Sequence, residues 1–476
     1  MSVRAALVAA VVLLAACRST PVSPRKESLA RLPEKFLPGS ATISDDFAHH
    51  LYLVEERRGT RVVRDGVPSE KYGSATNRSF LPKSARHVYW ARRPEGQTLL
   101  VVDDVAYPVG YSRHDYVAFD PTGAHWAVLA SAPAEEGAVI LADGKELGPF
   151  SDASIPAWSP TGTLAYLKAE GNEGPDRRIA LVVGEAVVRE SKAGAPLCRP
   201  VIGEPTRGPA LPLHTALQYL TDGRLVALMP KEGQWALTRD AEILGTFDAS
   251  VPTTPGSVGP YAIAGDDACA VGSVIAATTV TTAEKAPVVA WWERTAGAGG
   301  TWRVVVDGKP AANVACLRPW PHQPPQLGAD GRTVAFPCVT RFDDHGEAIM
   351  VVHGEQRYGP YPEVWALALS DDGRRLAYGA SDGSLDRSWG VYADGTLLSP
   401  RYYAIWRPRF DPSGTRVAWE AMETVKGPNR LVLDGRPLAT FDDLTNGPLF
   451  DRPGEVAWLI RRKSRLARLN FPLRKQ

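Results

Sequence analysis

The stretch Phe410-Asp411-Pro412-Ser413-Gly414-Thr415-Arg416-Val417-Ala418-Trp419 decides the fold. Pro presets φ at the first central position of a turn, Ser tolerates the next, and Gly takes the left-handed conformation that returns the chain into a strand. The returning strand opens hydrophobic-Ala-hydrophobic, a pattern suited to sheets packed face to face, where a small residue admits a neighbour's bulk. The same turn and strand recur as Phe119-Asp120-Pro121-Thr122-Gly123 with Trp126-Ala127-Val128, and as Trp158-Ser159-Pro160-Thr161-Gly162 with Leu164-Ala165-Tyr166. Shorter versions place Gly223 before Val226-Ala227-Leu228, Gly331 before Val334-Ala335-Phe336, Gly373 before Leu376-Ala377-Tyr378 and Gly454 before Val456-Ala457-Trp458. The glycines at 331, 373, 414 and 454 stand 42, 41 and 40 residues apart.

A second motif interleaves with the first: a hydrophobic run ending in Asp-Gly or a near equivalent. Val139-Ile140-Leu141-Ala142-Asp143-Gly144, Val304-Val305-Val306-Asp307-Gly308 and Leu431-Val432-Leu433-Asp434-Gly435 are its clearest copies. It follows the first motif by 21 to 23 residues, glycine to glycine. Two turns per repeat join four short strands. A four-stranded sheet of ~40 residues cannot bury both its faces alone, and copying it around a circle solves that problem. The fold expected is therefore all-β, a β-propeller of four-stranded antiparallel blades. A β-solenoid is the rival, but its rungs are shorter, roughly 20–30 residues, and lack two hairpin turns per unit. Nine units fall between residues 40 and 446, with a partial one from 447. The first two are degenerate and the stretch from Glu190 to Cys316 is irregular, so a single ring of eight blades is the preferred count, with seven, ten or two rings left open. Val456–Ile460 and Leu466–Leu473 are the expected closing strands.

Bulk composition agrees with a turn-rich globular protein: 44% hydrophobic and 22% charged residues, with 43 Gly and 40 Pro. Lys+Arg total 54 against 53 Asp+Glu, so no electrostatic surplus points to nucleic acid. The N-terminus reads as an address. Arg4 precedes an apolar run, Ala5 to Leu14, which ends in Leu14-Ala15-Ala16-Cys17. This is the layout of a secretory signal peptide, and the run is too short for a membrane span, which needs roughly 20 apolar residues. Residues 18–39 are rich in Pro, Ser and charge and read as a tether. The expected organisation is signal peptide 1–16, tether 17–39 and repeat domain 40–476.

Leu14-Ala15-Ala16-Cys17 resembles the bacterial lipobox. That resemblance implies cleavage before Cys17, lipid on its sulfur, and a partner membrane, in the bacterial cell envelope; Arg18 after the cysteine favours the outer membrane, facing the periplasm. The repeats resemble the WD40-like repeats of the TolB propeller family over residues 117–460. That family carries an α/β domain before its propeller, for which there is no room here between Cys17 and the first strands, so its partner is not carried over. The propeller of prolyl oligopeptidase-type enzymes is similar too, without their hydrolase domain.

Little chemistry is legible. Gly379-Ala380-Ser381-Asp382-Gly383 matches the nucleophile-elbow spacing, but no His occurs after His353. Asp343-Asp344-His345 with Glu347, and Asp45-Asp46 with His49-His50, offer metal-ligand types at no recognised spacing. No cofactor motif is present. Arg461, Arg462, Lys463, Arg465 and Arg468 form a basic run that either meets anionic headgroups or keeps an exposed turn soluble. Four cysteines follow Cys17, an even number in an exported chain, which favours disulfides. Of the three pairings available to Cys198, Cys269, Cys316 and Cys338, the expectation is Cys316–Cys338 with Cys198–Cys269; four buried thiols are the alternative. The function expected is non-catalytic binding or scaffolding with a peptide or protein partner. An envelope polysaccharide- or peptide-acting enzyme and a lectin-like carbohydrate binder stay as alternatives.

Overall fold

The computed structural model describes residues 24–37, 40–44, 46–109, 117–131, 137–171, 177–192, 217–220, 222–231, 234–248, 274–278, 288–294, 301–312, 314–320, 325–328, 330–343, 346–384, 389–398, 400–425, 427–463 and 465–473. Among them there is no helix. The strands form ten antiparallel sheets, each a four-strand path. Nine are consecutive meanders spanning 42–68, 74–108, 117–150, 152–192, 217–248, 274–310, 318–361, 363–397 and 404–441; they are numbered sheets 1 to 9 here. In sheets 4 and 7 the first strand is broken in two. Sheet 10 takes three strands from 443–472 and its fourth, Arg25–Arg31, from the other end of the chain.

The described residues form ten such sheets, where a ring of eight blades was the preferred count and ten one of those left open. Both degenerate units are complete sheets, because their turns work without the expected glycine. Phe47 takes the left-handed place at φ 62° in sheet 1, and Lys83 turns the chain at φ 52° in sheet 2. The irregular stretch holds sheets 5 and 6. Val289-Ala290-Trp291 lies in the second strand of sheet 6, Val288–Arg294, while Cys269-Ala270-Val271 is outside the described residues. The segment expected as a tether is also shorter, since Arg25–Arg31 is a strand paired from Arg25↔Asn470 to Arg31↔Arg465. Its polarity misled the reading: an outermost strand has one free edge, and charge protects it. Residues 1–23, Cys17 among them, lie outside the described residues.

The Asp-Gly turns are two-residue hairpins with positive φ at both central positions, as in Asp143 at 47° with Gly144 at 83° and Asp394 at 47° with Gly395 at 81°, whereas the turns at Gly184 and Gly354 have it at the glycine alone. The former is the turn whose twist matches that of the strands it joins. The first motif explains how sheets pack. In the second strands the large residues point toward the preceding sheet and the alanine toward the following one. Ala127 thus receives Leu164 and Tyr166, Ala335 receives Leu376 and Tyr378, Ala377 receives Val417 and Trp419, and Ala418 receives Val456 and Trp458. All are buried, with Ala377, Ala418, Trp419 and Trp458 at 0% exposure. A further core joins sheet 10 to sheet 1 through Leu466, Tyr52, Val63 and Leu32.

First strands lie against one another in eight of the ten neighbouring pairs, including those of sheets 1 and 10, whereas the fourth strands show no comparable contact. The first strands are therefore innermost. Cys316, bridged to the third strand of sheet 6 at Trp302, and Cys338, in the second strand of sheet 7, are disulfide-linked with their Cα atoms 5.7 Å apart. Cys198 lies outside the described residues, as does Cys269.

Candidate functional site

Antiparallel meanders give the molecule two unlike ends. At one end, the turn face, lie the first-to-second and third-to-fourth strand turns. At the other, the loop face, lie the second-to-third and fourth-to-first connections.

The turn face is the more regular of the two, and many of its polar groups are spent on structure. The turn aspartates Asp65, Asp103, Asp143, Asp240, Asp394 and Asp434 each accept, through Oδ1, the N–H that opens the second strand of their own sheet, at 2.8 to 2.9 Å. In five of these sheets Oδ2 meets a base one residue earlier: His49, Arg86, His125, Arg375 or Arg416, at 2.7 to 3.0 Å. Sheets 4 and 7 have Gly184 and Gly354 in the acid's place and Thr163 and Thr333 in the base's, so acid and base vanish together. Some of the bases also latch the following sheet. Arg86 donates to the carbonyls of Gly123 and Ala124, and Arg375 to those of Gly414 and Thr415. His87 lies beside this row at 0% exposure. Burial pushes its imidazole below the ordinary histidine pKa, with Asp104 at 3.3 Å pulling the other way.

Several sequence candidates dissolve into this framework. Ser44 donates to Asp46, whose carboxylate also accepts the Ala48 N–H; these bonds hold it below the usual carboxylate pKa. His49 and His50 both face Asp65, at 2.8 and 3.2 Å. Asp45, Asp344 and His345 lie outside the described residues, and Glu347 is paired with Arg318. Among the described residues no group of three His, Cys, Asp or Glu could hold a metal. Ser381 ends the second strand of sheet 8, 4% exposed, and its hydroxyl accepts the Gly383 N–H; the described residues after it, 382–384, form no helix, which an elbow requires. In the basic run, Arg468 is buried, bidentate to Asp451 at 2.6 and 2.8 Å, and stacked over Phe47, while Arg461 covers Phe36.

The loop face is where the repeats differ. Its fourth-to-first connections run from the single residues Ser151, Pro362 and Asp442 to 193–216 and 249–273. On the turn face every third-to-fourth turn has two residues. Ion pairs brace the strand ends at the loop face. Asp152 meets Arg177 at 3.1 Å with both side chains buried, and at the equivalent positions of sheet 7 Arg318 meets Glu347 with the charges exchanged.

The inner wall carries a feature that the repeat motif hides. Trp365 pairs with Gly379 and Trp406 with Glu420, at equivalent registers of the first strands in sheets 8 and 9, and Trp320 follows Pro319 at the same level of sheet 7. All three are half-buried. Trp320 leans toward the next sheet, its indole N–H bonding the Val364 carbonyl at 2.8 Å. Directly after Trp365 and Trp406 the first strands bulge, and Ala366 and Arg407 take left-handed φ of 56° and 50°. Bulges of this kind re-aim side chains at the edge of a sheet. The sheet 9 bulge sets Arg407 near Arg409. Arg409 is open to solvent yet crowded by protein, as on a concave wall. That crowding lowers its pKa, Arg407 adds repulsion, and the buried Glu420 opposes both. Across the inner wall, Arg78 in the first strand of sheet 2 donates to the Ser40 carbonyl at 2.9 Å, and burial lowers its pKa to about 10, so it stays a cation.

Sequence reasoning missed the tryptophans. Trp365 and Trp406 stand eight residues before Gly373 and Gly414, a signal open to inspection, but Trp320 stands eleven before Gly331 because an insertion splits that strand.

No protein family matches the chain, and no curated protein does. Similar solved structures include a eukaryotic initiation factor (10% identity, TM-score 0.39, 90% of this chain and 99% of that one). The Dos1 propeller is another (11%, 0.33, 76% and 92%). A third is the β-propeller domain of Cps50 (Swd1) from Myceliophteria thermophila (13%, 0.25, 74% and 94%).

Proposed function

We propose that this protein is a non-catalytic binding or scaffolding β-propeller of ten blades in one ring, held at a bacterial envelope membrane by lipid on Cys17, and that its loop face takes a protein or peptide partner. The observation that carries the reading is where connection length varies most: the fourth-to-first connections run from one residue to 25, while the third-to-fourth turns all have two and the first-to-second connections have five or six in every sheet but sheet 6, where 279–287 spans nine. In repeat folds insertions collect on the face that binds, because the opposite face is consumed by packing and turn geometry.

The path of the chain supports an orientation. Arg25 enters at the turn face, where Glu27 pairs with Arg452 at 2.7 Å, and the C-terminal strand ends there too. Residues 18–24 reach at most about 25 Å when fully extended. Lipid on Cys17 then holds the turn face toward the bilayer and leaves the loop face open. Outer-membrane attachment facing the periplasm is part of the proposal.

Photo-crosslinking from single sites tests it. Probes at Arg58, Glu95 and Val425 on the loop face are expected to trap one discrete envelope partner, and probes at Ser413 and Arg436 on the turn face are not. Trapping from the turn face alone, or from neither, refutes the assignment of the binding face. Mass analysis of the mature N-terminus, with Cys17→Ser as control, tests the anchor separately.

A further inference from the structure

We propose a second binding site, on the inner wall of sheets 7 to 9, for an extended anionic oligosaccharide. It goes beyond the loop-face partner and uses none of the same residues. Three observations on different atoms carry it.

The first is aromatic. Trp320, Trp365 and Trp406 occupy one level of three successive innermost strands; Trp365 and Trp406 lie outside the inter-sheet cores that take Trp419 and Trp458, and Trp320 packs one side against the core between sheets 7 and 8. Each keeps part of its surface in solvent. Sheets pack about 10 Å apart, which sets the spacing of the strands that carry the rings near the length of a disaccharide in an extended glycan, with Trp320 leaning toward the strand of Trp365. Flat indole faces take the apolar face of a pyranose much as they take a base, by stacking that does not depend on hydrogen-bond pattern.

The second is charge. In the middle of the innermost strands the described ionisable residues are Arg78, Arg407 and Arg409. Asp152, Glu363 and Asp443 stand at the loop-face ends of their strands. Planar guanidinium groups recognise carboxylates bidentately, and a concave wall strengthens that attraction. The third is conformation. Arg407 sits at φ 50° directly after a tryptophan and Ala366 at 56° after another, so the bulge that exposes each ring recurs in adjacent sheets, and in sheet 9 it presents the arginines beside the ring. Stacking platforms one sheet apart, with cations alongside, fit a polymer of rings carrying an acid on alternate sugars.

Calorimetry and tryptophan fluorescence on the full chain with hyaluronan hexasaccharide test this, with chitohexaose as neutral glycan and hexaglutamate as acidic peptide. The expected result is hyaluronan binding that weakens with salt, at least tenfold tighter than chitohexaose or hexaglutamate. Arg407→Gln with Arg409→Gln should weaken it tenfold or more. Trp365→Ala and Trp406→Ala should each weaken it about tenfold, with Trp365→Phe retaining most of the affinity, which separates loss of a platform from loss of fold. No hyaluronan binding at millimolar concentration, affinity unchanged in these variants, or equal affinity for hexaglutamate or chitohexaose each overturns the proposal. Loop-face variants leave hyaluronan binding unchanged, so failure of either reading is distinguishable from failure of the other.

Discussion

Ala418→Leu tests how neighbouring sheets lock. Ala418 has no exposed surface and faces Val456 and Trp458 of sheet 10, themselves fully buried beside Leu431 and Phe471. Leucine adds three carbon atoms where those side chains already fill the space. Overpacking of this order costs about 1–3 kcal/mol, occasionally more, and we expect the upper end because both neighbours are rigid. Spread over the unfolding entropy of about 450 residues, at roughly 2.1 cal/mol/K each, that shifts Tm by only about 2–3 °C. Urea midpoints and hydrogen exchange across 417–422 and 455–462 are therefore the better assays. Ala124→Leu, on an exposed turn, is the control and should change nothing. Adding Val456→Ala to Ala418→Leu should recover part of the loss, since the two residues share one space and couple. A midpoint unchanged by Ala418→Leu, or a strictly additive loss in the double variant, would refute the interlocking.

Three further outcomes follow from the geometry. Replacing Cys316 and Cys338 with serine opens a loop of 22 residues between sheets 6 and 7 and should lower stability by about 3 kcal/mol, read from urea unfolding under oxidising and reducing conditions. The buried His87 has its pKa lowered in the fold by desolvation, against 6.5 as its ordinary value. Its contribution is complete above that value and is lost as pH falls below it, because the unfolded chain binds the proton first; His87→Gln should flatten this part of the pH dependence of the urea midpoint. Arg375→Ala removes the latch from Asp394 to the Gly414 and Thr415 carbonyls. The site is partly exposed, so the stability loss should stay under about 1 kcal/mol, while amide exchange at 412–416 speeds up.

The repeat and its architecture were legible because packing and turn geometry write themselves into sequence at fixed offsets. Gly123, Gly373 and Gly414 mark positive-φ positions, and Ala377 and Ala418 mark sockets. The count was not legible, because a turn can be closed by other means, as Phe47 and Lys83 close theirs, and local composition then loses its signature. Arg25–Arg31 read as tether for a related reason. An edge strand gains its stability from partners more than four hundred residues away, and only the nearby leucines Leu29 and Leu32 hinted at burial. The inner wall was legible in part. Trp365 and Trp406 keep register with the repeat, but which face of a strand borders the core and which borders the axis depends on the ring as a whole. Most of the turn aspartates were visible as Asp-Gly, yet their second task, clamping the start of the second strand, needs a partner fifteen or more residues away that no local pattern reveals.

End-on electron cryo-microscopy projections of the folded protein measure the architecture with the least interpretation. The account predicts an annulus of ten radial spokes around an open centre, with one spoke missing its outer density when residues 24–31 are deleted. Eight or fewer spokes, a straight stack of strands, or a spoke pattern indifferent to that deletion would contradict it.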